Sequence, residues 1–398
     1  MLPTARHLHP AWIIAGILLF ATNLRAPFTA ASPLLDAIRD TFGMGAGEAG
    51  FLITLPLLTF CVISPFSAPL AGRFGLERAL FMALAVIAAG IVVRSSGPAW
   101  ALFLGTAILG AGIAIGNTLL PSLLKRDFPD RITGLTAVYS ITMGVASAAG
   151  SAMVVPLMHA FDWRISLGAF LVLPVASALV WAPQLRASSR PAAAAVAPAH
   201  GGAVWRSALA WQVTLFFGIN SFVYYAIGAW LPSILVSLGY SQAEAGSLHG
   251  AMQLATALPG FVIAPLVRRA RDQRGLAAAL ALSSLASLLG LQLVPTWAVL
   301  WVSLFGFGIG GAFILALAFI GLRTASAPQT ASLSGMTQSV GYLMSATGPV
   351  LAGALHDAVD SWPVVLSICA ALCIILALLG LGAGRAVHIN VAHATPER

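Results

Sequence analysis

Arg25 is the residue of this 398-residue chain whose surroundings most demand an explanation. It stands 14 residues past Ala11, inside the first long apolar run. On a helix rising about 1.5 Å per residue, it sits about 21 Å into a hydrocarbon layer about 30 Å thick. Holding a guanidinium at such depth costs from about 2.5 to over 10 kcal/mol. No Asp or Glu inside the apolar runs stands ready to neutralise it, since Glu48 and Glu244 fall at run ends. The planar fork of an arginine grips a carboxylate-like group through two donors, so one reading is a ligand for an anion or a strongly polar solute. Two other readings compete: the long side chain reaches back to the interface, or it donates to backbone carbonyls near Pro27.

Other polar residues stand at similar depth. Asn23 and Asn220 are candidates for substrate contact or for hydrogen bonds between helices. Tyr224 and Tyr225 are adjacent, so on a helix they point about 100° apart and at most one faces a cavity squarely. Asn117, Gln338 and Tyr342 are further candidates, although small residues around the last two, such as Gly341 and Ser345, also suit close helix packing. A histidine side chain ordinarily titrates near neutral pH, so His249 is a candidate proton carrier, with Glu48 and Glu244 as alternatives. Gln253, one turn beyond His249, extends a polar stripe. The three cysteines, Cys61, Cys369 and Cys373, lack metal-ligand spacing. No nucleophile–base pair or phosphate loop is legible, so the reading is of a chain that is not an enzyme and carries no cofactor or metal.

The elements that must position these residues follow from composition. The chain is 59% hydrophobic and 8% charged, against about 25% charged residues in a soluble domain. So little charge cannot coat a water-facing surface, and lipid must be the main solvent. A net charge of +8 could suggest nucleic acid, but the basic residues are spread between apolar runs rather than gathered in one patch, which argues against it. Twelve runs are long enough to span a bilayer, near 11–33, 48–71, 79–96, 99–122, 132–157, 165–181, 209–236, 245–267, 276–294, 297–320, 331–354 and 363–383. Backbone groups in lipid must be paired within the segment, so the runs are helices.

With both termini inside, 16 of the 20 Lys and Arg residues fall on the cytoplasmic side, the exceptions being Arg25, Arg39, Arg94 and Arg164. The positive-inside rule therefore predicts an even number of spans with N and C termini cytoplasmic. Arg73, Arg78, Arg126 and Arg131 fall in the inner loops and are candidate gate residues there. The chain also repeats itself. Gly-Glu-Ala-Gly at 47–50 returns as Ala-Glu-Ala-Gly at 243–246, and Asn23, Pro33 and Pro69 have counterparts in Asn220, Pro232 and Pro265. Two six-helix halves in parallel repeat are expected, over 1–182 and 209–384, joined by an Ala/Pro-rich cytoplasmic linker at 183–208 and followed by a tail at 385–398.

These features resemble the major facilitator superfamily over essentially the whole chain, and within it the cyanate and nitroimidazole permease branch. The residues that carry the resemblance are NLRAPF at 23–28, GIAIGNTLLPSLLKRDFPDR at 112–131, FFGINSFVYY at 216–225 and LSGMTQSVGYLMSATGP at 333–349. The loop PLAGRFGLER at 69–78 matches the superfamily's loop after helix 2, with Gly72 where that loop carries an aspartate. The resemblance implies alternating access around a cavity lined by helices 1, 4, 7 and 10. It implies uptake of a small anionic or polar organic solute, such as a cyanate-like anion, an aromatic carboxylate or a nitroimidazole. A monomer in a bacterial inner membrane is expected, with protons as a candidate coupling ion. An exporter of drugs or metabolites on the same fold is the alternative.

Overall fold

The computed structural model describes residues 10–128, 131–187, 202–325 and 327–389. Most of the expected linker at 183–208, and the end of the tail at 385–398, therefore lie outside the described residues. Among those described, all regular structure is helical. Spans 2 to 5 are Ala46–Phe74, Leu76–Arg94, Ala99–Asp127 and Ile132–Ala160; span 6 joins Trp163–Gly168 to Val172–Trp181. Span 7 is Ala208–Ser237, span 8 is Gln242–Ala255 continued by Pro259–Arg269, and span 9 is Arg274–Leu293. Spans 10 to 12 are Ala298–Leu322, Ala327–Val359 and Trp362–Ala383. Span 1 is interrupted: Pro10–Asn23, then Ala26–Thr29, then Leu35–Phe42. It thus runs beyond the expected 11–33, and reaches its 33 residues because it is not one straight helix.

Among the described residues, eleven helices are long and apolar enough to cross a membrane. Span 11 is the twelfth. It has 33 residues but is rich in Ser, Thr, Gly and Gln. It packs chiefly against spans 2 and 7, so much of its solvent is protein, and polar side chains that bond within it cost little there. Gln338, for example, donates to Ser334 Oγ at 2.8 Å, and Ser345 donates to the Gly341 carbonyl at 2.7 Å.

The repeated Glu-Ala-Gly segments have a local cause. Each opens a helix, and its carboxylate reaches back to an otherwise unpaired N–H: Gly45 N donates to Glu48 at 3.3 Å, and Ser241 N to Glu244 at 2.9 Å. This satisfies donors that the first helical turn leaves open. The glycines that follow let the halves touch. A Cβ on Gly50 of span 2 would lie 2.5 Å from the Pro349 carbonyl oxygen of span 11, and one on Gly250 of span 8 would lie 2.7 Å from the Ala148 carbonyl oxygen of span 5. Backbones can approach so closely only where no side chain intervenes. Both contacts lie toward the end of the bundle that carries Gly45 and Asp357. At the other end, where the described chain begins and finishes, a Cβ on Gly72 or Gly335 would meet nothing within 4 Å. The halves are therefore closed against each other at the first end.

Candidate functional site

The site begins with the interruption of span 1. Pro27 has no N–H, so the Asn23 carbonyl loses its helical partner, and the ring crowds that same carbonyl. The helix stops at Asn23 and resumes at Ala26. A second arginine secures the break. Arg94, at the end of span 3 and 1% exposed, donates to the Pro27 carbonyl at 2.7 Å and to the Leu167 carbonyl of span 6 at 3.4 Å. The carbonyl-binding role open to Arg25 in the sequence thus belongs to Arg94, which reads there as an outer-side charge but is buried in protein.

Arg25 neither reaches the interface nor bonds those carbonyls. Its Nη2 crosses to the other half, donating to Tyr224 Oη at 2.5 Å and to Gln253 Oε1 at 3.0 Å. Tyr224 Oη in turn donates to Gln253 Oε1 at 2.8 Å, and the guanidinium carbon lies 5.7 Å from the Tyr224 ring centroid. Gln253 Nε2 stands 3.5 Å from His249 Nε2, and His249 Nδ1 stands 3.0 Å from Ser151 Oγ. One polar chain therefore runs Arg25, Tyr224, Gln253, His249, Ser151, from span 1 through spans 7 and 8 to span 5. Among the described residues, no carboxylate pairs with Arg25. A small cavity beside the chain is bordered by Phe28, Thr29, Ser32, Tyr224, Tyr225 and Gln253. Both tyrosines border it, their rings 4.8 Å apart and edge to face.

The other candidates are distributed differently. Asn23 turns away from the cavity and donates to Ser177 Oγ of span 6 at 2.7 Å and to its own helix's Leu19 carbonyl. Asn220 donates to the Ile309 carbonyl of span 10 at 3.1 Å. In both, Oδ1 is buried with no partner among the described residues. The two asparagines thus share a role, as their positions in the repeat suggest: each ties the first span of its half to another span of that half. Tyr342 stacks edge to face on Phe217, 5.6 Å between centroids. Asn117 and Gln338 are exposed on spans 4 and 11. Glu48 and Glu244 are exposed capping groups at the closed end, away from His249. Gln253 is the residue that sequence reasoning undervalued. Its signal was the four-residue spacing from His249, and nothing in the sequence showed that Arg25 would come to the same carbonyl.

Of the loop arginines, Arg126 pairs with buried Glu77 at 2.8 Å and with Asp127 at 2.6 Å, tying the end of span 4 to the start of span 3. Arg73 lies over the ring of its neighbour Phe74, and Arg78 and Arg131 are exposed. At the closed end Asp357 of span 11 accepts the Gly47 N–H at 3.0 Å and faces Arg39 of span 1 at 3.7 Å.

Twelve spanning helices in two halves, with a polar chain crossing between them, define a multi-pass membrane transporter architecture. The chain belongs to the major facilitator superfamily, whose family model matches residues 11–346. It is 52% identical over 379 residues to a 2-nitroimidazole transporter of Escherichia coli (strain K12), covering 95% of this chain and 96% of the relative. It is 28% identical over 349 residues to the cyanate transport protein CynX of the same organism, covering 86% and 89%. The resemblance read from the sequence is met at the level of superfamily and branch, and these relatives are transporters, not enzymes. A solved structure of a bacterial homologue of the human lysosomal transporter Spinster, inward-facing and occupied, superposes with a TM-score of 0.76 at 14% identity, covering 96% of this chain and 98% of that one. That likeness concerns the fold alone.

Proposed function

We propose that this transporter carries a small planar solute bearing a carboxylate, cyanate-like or nitro group across a bacterial inner membrane by alternating access, in the uptake direction and as a monomer. The observation that carries the reading is Arg25: a guanidinium at the interface of the halves, unpaired by any carboxylate among the described residues, beside a cavity with aromatic walls. Its fork suits two oxygens on one planar group, and Phe28 and Tyr225 suit a flat ring. The relative that is 52% identical handles 2-nitroimidazole, a ring with such a group.

The moving units are residues 1–182 and 209–384. The count of 16 of 20 basic residues on one side supports cytoplasmic termini, and in that orientation the backbone contacts at Gly50 and Gly250 lie toward the outside. His249 is the proton carrier of this reading, while Asn23 and Asn220 support the site by holding the first span of each half in place.

The test is counterflow of labelled 2-nitroimidazole and benzoate in proteoliposomes, with and without a pH gradient. Arg25→Ala should drop uptake of both to background, and Arg25→Lys should keep part of it. Full uptake by Arg25→Ala would end the reading.

A further inference from the structure

We propose that the Gln253 side-chain amide is the coupler between a proton on His249 and the availability of Arg25, an inference that rests on the transport reading above for its purpose but not for its chemistry. An arginine only donates, so the Gln253 atom at 3.0 Å from Arg25 Nη2 must be the carbonyl oxygen. Tyr224 Oη donates to that same oxygen at 2.8 Å. The amide orientation is thereby set, and its NH2 is turned to His249 Nε2 at 3.5 Å. An NH2 needs a lone pair in front of it. His249 must then be neutral with its proton on Nδ1, where it donates to Ser151 Oγ at 3.0 Å.

A proton added at Nε2 sets two donors against each other. Turning the Gln253 amide relieves the clash by offering Oε1 to the imidazolium, but the same turn removes the acceptor of Arg25 and Tyr224 and puts an NH2 in its place. Arg25 then faces the cavity with one acceptor fewer, and the amide and phenol donors face it too. An anion entering there accepts from all three and offsets the second positive charge. Proton and anion therefore bind cooperatively, each raising the affinity for the other by the same factor.

The charged and titratable groups around His249 fit this scheme. Span 1 brings Arg25, and span 7 brings Tyr224 and Tyr225. Span 5 brings Ser151, and span 10 has no titratable side chain. Gln253 is a positioning residue: it acts through Arg25.

The decisive measurement is NMR on the full-length protein in nanodiscs, labelled with nitrogen-15 at Arg and His, with Arg25→Lys and His249→Asn used for assignment. Without any ligand, titrating His249 should shift the Arg25 guanidinium resonance in the wild type and leave it unmoved in Gln253→Leu, while Gln253→Asn, which keeps an amide, should restore part of the shift. An Arg25 resonance that ignores the His249 titration in the wild type, or one that still follows it in Gln253→Leu, overturns the proposal. Benzoate binding supplies the second arm. Wild-type affinity for the benzoate anion, with the protonated acid counted out at each pH, should tighten about tenfold between pH 8 and the acid side of the His249 titration, the scale of one charge-assisted hydrogen bond, and Gln253→Leu should bind with no such change. Benzoate binding that is independent of pH in the wild type also overturns the coupling. Coupled resonances with no binding of benzoate or 2-nitroimidazole at any pH would leave the coupler standing and remove the assigned substrate class.

Discussion

Arg94 donates to the carbonyl oxygen of Pro27 at 2.7 Å, so a buried arginine on span 3 holds the break in span 1 from which Arg25 projects. Two cations that look alike in the sequence therefore have opposite duties. One satisfies the backbone at the break. The other is carried by the break to the interface between the halves.

Replacing Arg94 should injure folding before function. Arg94→Met keeps the length but leaves the Pro27 and Leu167 carbonyls without its donors. Losing one side of a buried charged hydrogen-bond set costs about 2–4 kcal/mol. A lowered thermal unfolding midpoint in detergent should report it, with less protein reaching the membrane. An unchanged midpoint would mean that water replaces the guanidinium.

Tyr224→Phe separates the phenol from the ring. The variant keeps the aromatic wall and the face toward Arg25, but loses the oxygen that accepts from Arg25 and donates to Gln253. The expected loss in apparent affinity for 2-nitroimidazole or benzoate is about tenfold, at roughly 1.5 kcal/mol for a hydrogen bond to a charged group. Expression and melting should stay near wild type. Measured uptake kinetics that match the wild type would place the phenol outside the site.

Gly50→Leu should act on conformation. Its first side-chain carbon would lie 2.5 Å from the Pro349 carbonyl oxygen, so spans 2 and 11 could not close at that end. Overpacking of this kind costs about 1–3 kcal/mol and falls on the closed arrangement alone. In a Cys61→Ser background, a cysteine placed at Ala46 should react faster with an impermeant maleimide in Gly50→Leu than in the parent, while transport falls. Equal labelling rates would show that closure at this end does not use the Gly50 contact.

Asp357→Ala removes a weaker tie at the same end. It deletes the acceptor of the Gly47 N–H and the partner of Arg39. Half-exposed pairs contribute about 0.2–1 kcal/mol, so the labelling rate at position 46 should rise by a few-fold at most. High salt should narrow the difference, because it screens the Arg39 contribution in the parent.

Arg126→Ala tests whether the loop arginine gates or merely supports. Glu77 has a nearly buried side chain, and Arg126 pairs with it at 2.8 Å inside one half. The variant should lower the melting temperature, because it strands a buried carboxylate, and it should leave the maleimide labelling rate at position 46 unchanged. A changed rate with normal stability would restore the gate reading.

Much of the architecture was legible because lipid leaves few options. Apolar runs near 20 residues must be helices. Boundaries were legible where a local rule acts: Glu48 and Glu244 mark helix starts because the capping bond is made within four residues. Span 1 was read as ending near 33 because the Pro27 break permits a continuation that hydropathy does not signal. Asn23 and Asn220 were read as cavity candidates because depth alone cannot give azimuth around a helix. Their side chains turn to Ser177 and Ile309 inside their own halves.

What the sequence determined by itself was a charge that cannot rest in hydrocarbon unaided, twelve crossings, and two related halves, since each of these follows from transfer free energies and from order along one chain. What only the tertiary structure decided was the partner of that charge. Tyr224 and Gln253 lie 199 and 228 residues away from Arg25, and hydrogen bonds of about 3 Å between different helices depend on crossing angle, register and rotation, none of which a hydropathy pattern specifies.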